Sequence, residues 1–273
     1  MPPNDPIGEE PIGIPGLPDS LRLSRCGEIA IARLCRPEKR NAIDNVLIAG
    51  IERAFSALPA DIRAVVIAAE GEHFCAGLDL SSLTETDPFE AVLHSRAWHR
   101  AFARIEKGDV PVIAVLHGAT VGGGLELAAA AHIRVAERST FYALPEGQRG
   151  IFVGGGASVR VPKMIGLPRV MDMMLTGHTY GAEEGVALGF SQYLAENGKG
   201  FETAMSLARK IASHAPLSNF SVLHAMPRIA ESQDEAGFFI EALMSAIASS
   251  DKDAKDRLRA FLEKRAPKVV HSG

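Results

Sequence analysis

The chain has 273 residues, 47% of them hydrophobic, and a net charge of −4, enough apolar material for one large compact domain or two small ones. The acidic balance speaks against a general nucleic-acid binder, which is basic with clustered Lys and Arg. Cys26, Cys35 and Cys75 are too few and too odd in number for a disulfide framework, and no apolar run reaches the roughly 18 residues of a membrane span, so the composition points to a soluble, cytoplasmic protein.

The opening stretch MPPNDPIGEEPIGIPGLPDS is proline-rich and acidic. It lacks the basic start and apolar core of a signal peptide, and reads as a flexible surface arm over residues 1–19. EIAIARL (28–34) alternates and predicts a strand. In DNVLIAGIERAFSAL (44–58), Leu47, Ile51, Phe55 and Leu58 share one helical face and Asp44 is the candidate N-cap. IRAVVIAA (62–69) reads as a buried strand ending in EGEHFCAG, a polar helix follows over about 89–107, and Pro111 opens the buried strand PVIAVLHG. IRVA and STFYAL read as short strands, and from about residue 168 the pattern is helical to the end, with turns at TGH, ENGKG and HAP. Strand–helix–strand order predicts an α/β core with crossover connections.

Between those strands lies GATVGGGLELAAAA (118–131), where Gly122, Gly123 and Gly124 run straight into an alanine-rich helix with Glu126 in its first turn. Bare backbone at a helix N-terminus can hold an anion. The spacing is neither G-x-G-x-x-G nor a P-loop, which weakens a nucleotide phosphate and leaves a developing oxyanion as the better candidate. An oxyanion needs converging N–H donors, and HFCAGLDL (73–80) supplies a second small-residue loop at the end of a buried strand. Glu146, in YALPEGQRG, follows Glu126 at a distance that returns the chain to the same region. Carboxyl groups in an apolar pocket have raised pKa values, and two around one reactive centre can hold opposite protonation states. On the residues alone the plainer readings stay open: glycines that permit tight turns, Glu126 as a first-turn acid stabilising its helix, and Glu146 as a turn carboxylate.

HFCAGLDL, PVIAVLHGATVGGGLELAAAAHIRVA, FYALPEGQRGIFVGGGASVRVPKMIG and AFLEKRAPK together resemble the crotonase (enoyl-CoA hydratase/isomerase) superfamily over about residues 20–268. The resemblance implies an α/β fold built as a spiral of ββα units over residues 20–200. It also implies a C-terminal helical trimerisation region over 201–273 of the same domain, and a homotrimer or homohexamer. It implies an enzyme that adds water across the 2,3-double bond of an acyl-CoA thioester. The backbone N–H groups of Ala76 and Gly123 would form the oxyanion hole; Glu126 would activate the water and Glu146 protonate Cα. No cofactor is implied, since CoA belongs to the substrate. The CoA moiety would lie along RPEKRNAI and the loop of Gly77, Leu78 and Asp79, with Lys39 and Arg40 toward its phosphates and Phe261 and Lys264 toward its nucleotide end.

The chain departs from the family pattern at Gly147, where an aliphatic residue is usual, at Val153 in place of proline, and at His132 and His117 in place of Asp and Asn. Loss of the side chain beside Glu146 is expected to widen the acyl pocket or loosen the acid, which leaves the acyl group open and includes a methylthioacryloyl-CoA hydratase among the specialised readings. Enoyl-CoA isomerase, CoA-thioester hydrolase or lyase chemistry, and a non-catalytic nucleic-acid binder are the alternatives; both glutamates and the net acidity speak against the last. Cys75 as an acyl-transfer nucleophile lacks a placed histidine, and Asp79 more often stabilises its own turn. His94 and His99 are five apart on the predicted helix, which does not align two metal ligands.

Overall fold

The computed structural model describes residues 8–82 and 87–263. In chain order the elements are β1 (Glu10–Pro11), β2 (Leu21–Cys26), β3 (Ile29–Leu34), α1 (Asn45–Ser56), β4 (Ala64–Ala69), α2 (Pro88–Glu106), β5 (Val112–Leu116), β6 (Ala119–Val121) and α3 (Gly123–Ala130). They continue with β7 (Ile133–Glu137), β8 (Phe141–Ala143), α4 (Ala157–Ile165), α5 (Leu167–Thr176), β9 (Tyr180–Gly181), α6 (Ala182–Leu188), β10 (Tyr193–Ala195) and α7 (Gly200–Ala212). The chain then forms a second compact unit from Ile211 onward, which holds α8 (Pro216–Ala230), α9 (Asp234–Ser250) and α10 (Lys252–Leu262).

The first unit is a spiral of β-strand and helix turns that contains two sheets. Seven strands run β1-β2-β3-β4-β5-β7-β10, and three more run β6-β8-β9. β1, β2 and β3 pair antiparallel, whereas β3, β4, β5, β7 and β10 pair parallel. Parallel neighbours need crossovers, which α1, α2 and α3 provide, and strands covered on both faces read as the continuous apolar runs AVVIAA and VIAVL. The predicted strands EIAIARL, IRAVVIAA and PVIAVLHG are present as β3, β4 and β5, and so is the helix capped by Asp44, whose side chain accepts from the Leu47 N–H.

Two expectations change. The region after residue 168 is not helical throughout: β9 pairs antiparallel with β8, and the three-residue β10 pairs parallel with β7, Tyr193 opposite Val135. Three residues are too short to show a period, so only the neighbouring strand makes them a strand. The expected arm, in turn, is pinned from Gly8 onward; residues 1–7 lie outside the described residues. Glu9 accepts from Ser24 at 2.5 Å and from Arg33 at 2.7 Å, Glu10 and Pro11 pair with β2, and Ile12, Ile14 and Leu17 pack against the core.

The helix α3 lies at the centre, and all eight of its residues are buried, as a helix apolar on every side requires. Its C-terminal carbonyls are met by one buried cation. The Arg134 guanidinium donates to the Ala131 and Phe190 carbonyls, each at 2.5 Å, and to Ala128 at 3.4 Å. Burial pushes the Arg134 pKa down to about 10, and the carbonyl end of a helix is where a cation is favoured. Truncating it orphans several buried carbonyls at once, so Arg134→Ala should cost on the order of 3 kcal/mol. Denaturant midpoints at fixed protein concentration check this, and a loss near zero would mean water replaces the guanidinium.

Candidate active site

The site is built by backbone that has been stripped of side chains. Asn41, fully buried with φ 54°, donates to the Glu70 and His73 carbonyls at 2.8 Å each and accepts from the Arg36 N–H. It thereby clamps the turn 36–43 to the end of β4. The loop that follows lies alongside: Ile43 N–H donates to Gly77 O, and Asp79 N–H to Ile43 O. Gly77 adopts φ 100°, and a Cβ there would stand 2.9 Å from the Val121 carbonyl oxygen.

This arrangement corrects one expected donor. The Ala76 N–H already donates to the Arg40 carbonyl at 3.0 Å, so it is spent on holding the loop. The next outward-pointing amide is that of Leu78. Among the described residues neither the Leu78 nor the Gly123 N–H makes a hydrogen bond. They are neighbours, since a Cβ on Gly123 would lie 3.4 Å from the Leu78 nitrogen. The bond from Ala76 to Arg40 and the positive φ of Gly77 between the two residues decide which amide faces the cavity, and residue types alone show neither.

The two glutamates flank this pair. Glu126, 3% exposed, accepts at Oε1 from Gly155 N–H at 2.7 Å and Ala157 N–H at 3.0 Å. Burial raises its pKa, and the two backbone donors, which favour the charged form, oppose the rise. Glu146, 8% exposed, opens a short 3-10 turn over Glu146–Arg149. Its Oε2 is buried without a partner, and its pKa is pushed up to about 7, first by burial and then by the charge of Glu126. Close packing around both leaves no room for side chains. A Cβ on Gly122 would stand 2.6 Å from Glu146 Oε1, and one on Gly155 2.6 Å from Glu126 Oε2. Trp98, the sole tryptophan, fills the angle between α2 and α3 and would meet a Cβ of Gly123 at 2.7 Å.

Leu78, Gly123, Glu126 and Glu146 all line one cavity of about 400 Å³. The rest of its lining includes His94, Ser95 and Trp98 on α2 and Ile151, Phe152 and Gly155 on the loop before α4. The sequence had α2 as a polar helix and gave no sign of this lining; the lone Trp98 within it was the available signal.

The other candidates divide. Asp79 accepts from the Ser81 N–H and hydroxyl and pairs with Arg36 at 2.9 Å, which lowers its pKa through the Ser81 bonds first; it stabilises its own loop. Lys39 and Arg40 are exposed on the turn that holds the Ala76 amide and make no ion pair among the described residues. Phe261 is 56% exposed on α10 of the second unit, and Lys264 lies outside the described residues. Cys75 is buried, and its thiol is pushed up to about 12 by burial, which removes it as a nucleophile. His132 accepts from Val112 N–H at Nδ1, with Glu106 O at its other nitrogen, and His117 sits 3.1 Å from Gly71 O; both are structural. No cluster of metal-binding side chains occurs among the described residues, and no helix among them is long and apolar enough to cross a membrane.

A ββα spiral with two glycine-rich loops and two carboxylates around one cavity defines a crotonase-type protein. Comparison with known proteins agrees. The family model described as enoyl-CoA hydratase/isomerase matches residues 25–271. A provisionally named enoyl-CoA hydratase of Thermus thermophilus is 34% identical over 250 residues, covering 89% of this chain and 97% of that protein. The short-chain-enoyl-CoA hydratase of Clostridium acetobutylicum is 28% identical, covering 90% and 96%. A crystal structure from Rhodopseudomonas palustris CGA009, also provisionally named an enoyl-CoA hydratase, is 54% identical with a TM-score of 0.88 and covers 90% of this chain and 95% of that one. The chain belongs to the enoyl-CoA hydratase/isomerase family.

The raised Glu146 pKa has a consequence for stability. The folded chain keeps that proton up to about pH 7, whereas an unfolded carboxyl releases it near 4.5. Stability is therefore fully present below the lower value and declines as pH rises through the upper one. Glu146→Gln abolishes this loss, so the variant should melt a few degrees above the wild type at about pH 8 and no higher than it at about pH 4. Thermal melts at the two pH values check the difference.

Proposed function

We propose that the chain is an enoyl-CoA hydratase acting on a 2,3-unsaturated acyl-CoA thioester. One observation carries the reading: two buried carboxylates in unlike environments face one cavity, beside two neighbouring N–H groups with no internal partner. The thioester oxygen accepts from the Leu78 and Gly123 amides, at the positive N-terminus of α3. Glu126, whose charged form the Gly155 and Ala157 amides favour, takes a proton from water as its oxygen attacks Cβ. Negative charge passes onto the thioester oxygen as an enolate. Glu146, which keeps its proton to about pH 7, delivers that proton to Cα as the enolate collapses. Each acid ends with the other's starting charge, and the pair is reset by exchange with solvent. Both glutamates are raised by burial, so their titration is shared rather than belonging to either alone.

CoA enters as part of the substrate, and no separate cofactor is invoked. Exposed Lys39 and Arg40, on a turn hydrogen-bonded to the Leu78 loop, are suited to its phosphates. A homotrimer or homohexamer fits the exposed Phe238, Phe239, Leu243 and Ile247 of α9, and a cytoplasmic location fits three free cysteines.

Crotonyl-CoA absorbance at the enoyl-thioester band tests the reading. The wild type should bleach the band without releasing thiol, and Glu126→Gln or Glu146→Gln should each cut kcat by on the order of 10³. Thiol release would indicate hydrolysis instead, and a shifted double bond isomerisation. Since the acid form of Glu146 is the active one, kcat/KM should fall as pH rises through about 7. A profile flat across that region would remove Glu146 as the proton donor.

A further inference from the structure

Glu146 must be held in place, yet its carboxyl offers little to hold it by, since Oε2 has no hydrogen-bond partner. The turn's own bonds, Gln148 N–H to Pro145 O, Gly150 N–H to Gly147 O and Ile151 N–H to Glu146 O, set its shape and not its location. Location comes from outside the turn. A Cβ on Gly147 would stand 2.5 Å from the carbonyl oxygen of Met174, in the last turn of α5. That oxygen belongs to a fixed backbone: Val170 and Met173 anchor α5 in the core, and its end is closed by Gly177 N–H to Met173 O at 3.0 Å. The contact is bare on the helix side too, because a Cβ on Gly177 would run into the Gln148 side-chain amide. A Cβ on Gly122 would likewise stand 2.6 Å from Glu146 Oε1.

We propose that Gly147 is a positioning residue for the proton donor: its missing side chain lets the Glu146 turn rest directly on the carbonyl end of α5, and this contact holds the carboxyl over the cavity. The inference rests on the hydration reading above. It also reverses the sequence expectation for this position, because the absent side chain seats the acid instead of loosening it, and Gly147 does not line the cavity. A side chain at 147 has to lift the turn away from α5 by about 0.9 Å, from 2.5 to 3.4 Å, before an ordinary contact is restored. Misplacement on that scale costs up to roughly 10²-fold in rate. The charges facing Glu146 are Glu126 from α3 and Arg149 from its own turn, and the carbonyl end of α5 adds a partial negative charge.

The test is steady-state kinetics of the full-length protein with crotonyl-CoA across pH, for Gly147→Ala beside the wild type, Glu146→Gln and Gly27→Ala. Gly27 has φ 61° with open space around it, remote from the cavity on the β2–β3 hairpin, so its variant reports strain alone. Gly147→Ala should lose about 10- to 100-fold in kcat with KM within about twofold. Its alkaline limb should move to lower pH, because a displaced carboxyl is better hydrated. Gly27→Ala should keep the wild-type kcat and limb. Wild-type kcat and limb in Gly147→Ala, or an equal loss in Gly27→Ala, overturns the proposal. If Gly147→Ala does not accumulate as folded protein, Gly177→Ala, across the same contact, decides by the same two readouts. A wild type inert on enoyl-CoA thioesters, or an active Glu146→Gln, would instead sink the hydration reading itself.

Discussion

Everything at this site depends on how closely backbone approaches backbone around the start of α3. The helix is buried along its whole length, so its first N–H groups are met by the chain or face the cavity, not the outer surface. Gly77, Gly122, Gly123 and Gly155 each have a neighbour where a Cβ would have to go. The neighbours are the Val121 carbonyl, the two glutamate carboxyls and the Trp98 ring. Removing side chains brings the Leu78 and Gly123 amides together and leaves both without an internal partner. A fold normally pairs its backbone donors, and two left without a partner on one cavity wall mark the place for an incoming oxygen.

The carboxylates follow from the same packing. Glu126 stands in the first turn of α3, where partial positive charge favours its ionised form, and two amides from the start of α4 reinforce that preference. Glu146 has neither advantage. It sits on a four-residue turn with one oxygen buried and unpaired, and the nearby Glu126 charge pushes it further toward the protonated form. Two residues of one type thus acquire different proton affinities because one accepts from two amides of another segment and the other only from its own backbone N–H. The opposite end of α3 is settled by Arg134, which spreads a buried charge over carbonyl oxygens. The helix is therefore held at both termini by polar contacts rather than by apolar packing alone.

How much of this was legible depended on the range of the interaction. Continuous apolar runs disclosed the central strands, and Asp44 disclosed the start of α1, because both signals are local. The four motifs carried the family and both glutamates, since spacing along the chain survives without coordinates. β10 was missed because three residues acquire strand character only beside β7. The pinning of residues 8–19 was missed because a composition rich in proline and acid conceals the Glu9 contacts to Ser24 and Arg33. The wall formed by His94, Ser95 and Trp98 was missed because helix α2 looks polar when read alone.

Residue type and order were enough for the α/β class, the two small-residue loops, the pair of acids and the family to which they belong. No partner in space is needed to see them. Only the tertiary structure decided that Leu78 rather than Ala76 turns its amide to the cavity, because that depends on which neighbour takes the Ala76 N–H. It added the causes behind two readings already open to the sequence: burial raises the Cys75 thiol pKa, and Asp79 bonds Ser81 within its own loop. Only the tertiary structure, again, decided Gly147, whose meaning lies in a carbonyl of α5 that no local pattern connects to it. Hydrogen-bond partners, burial and close approach are relations between distant segments, and they exist only once the chain has folded.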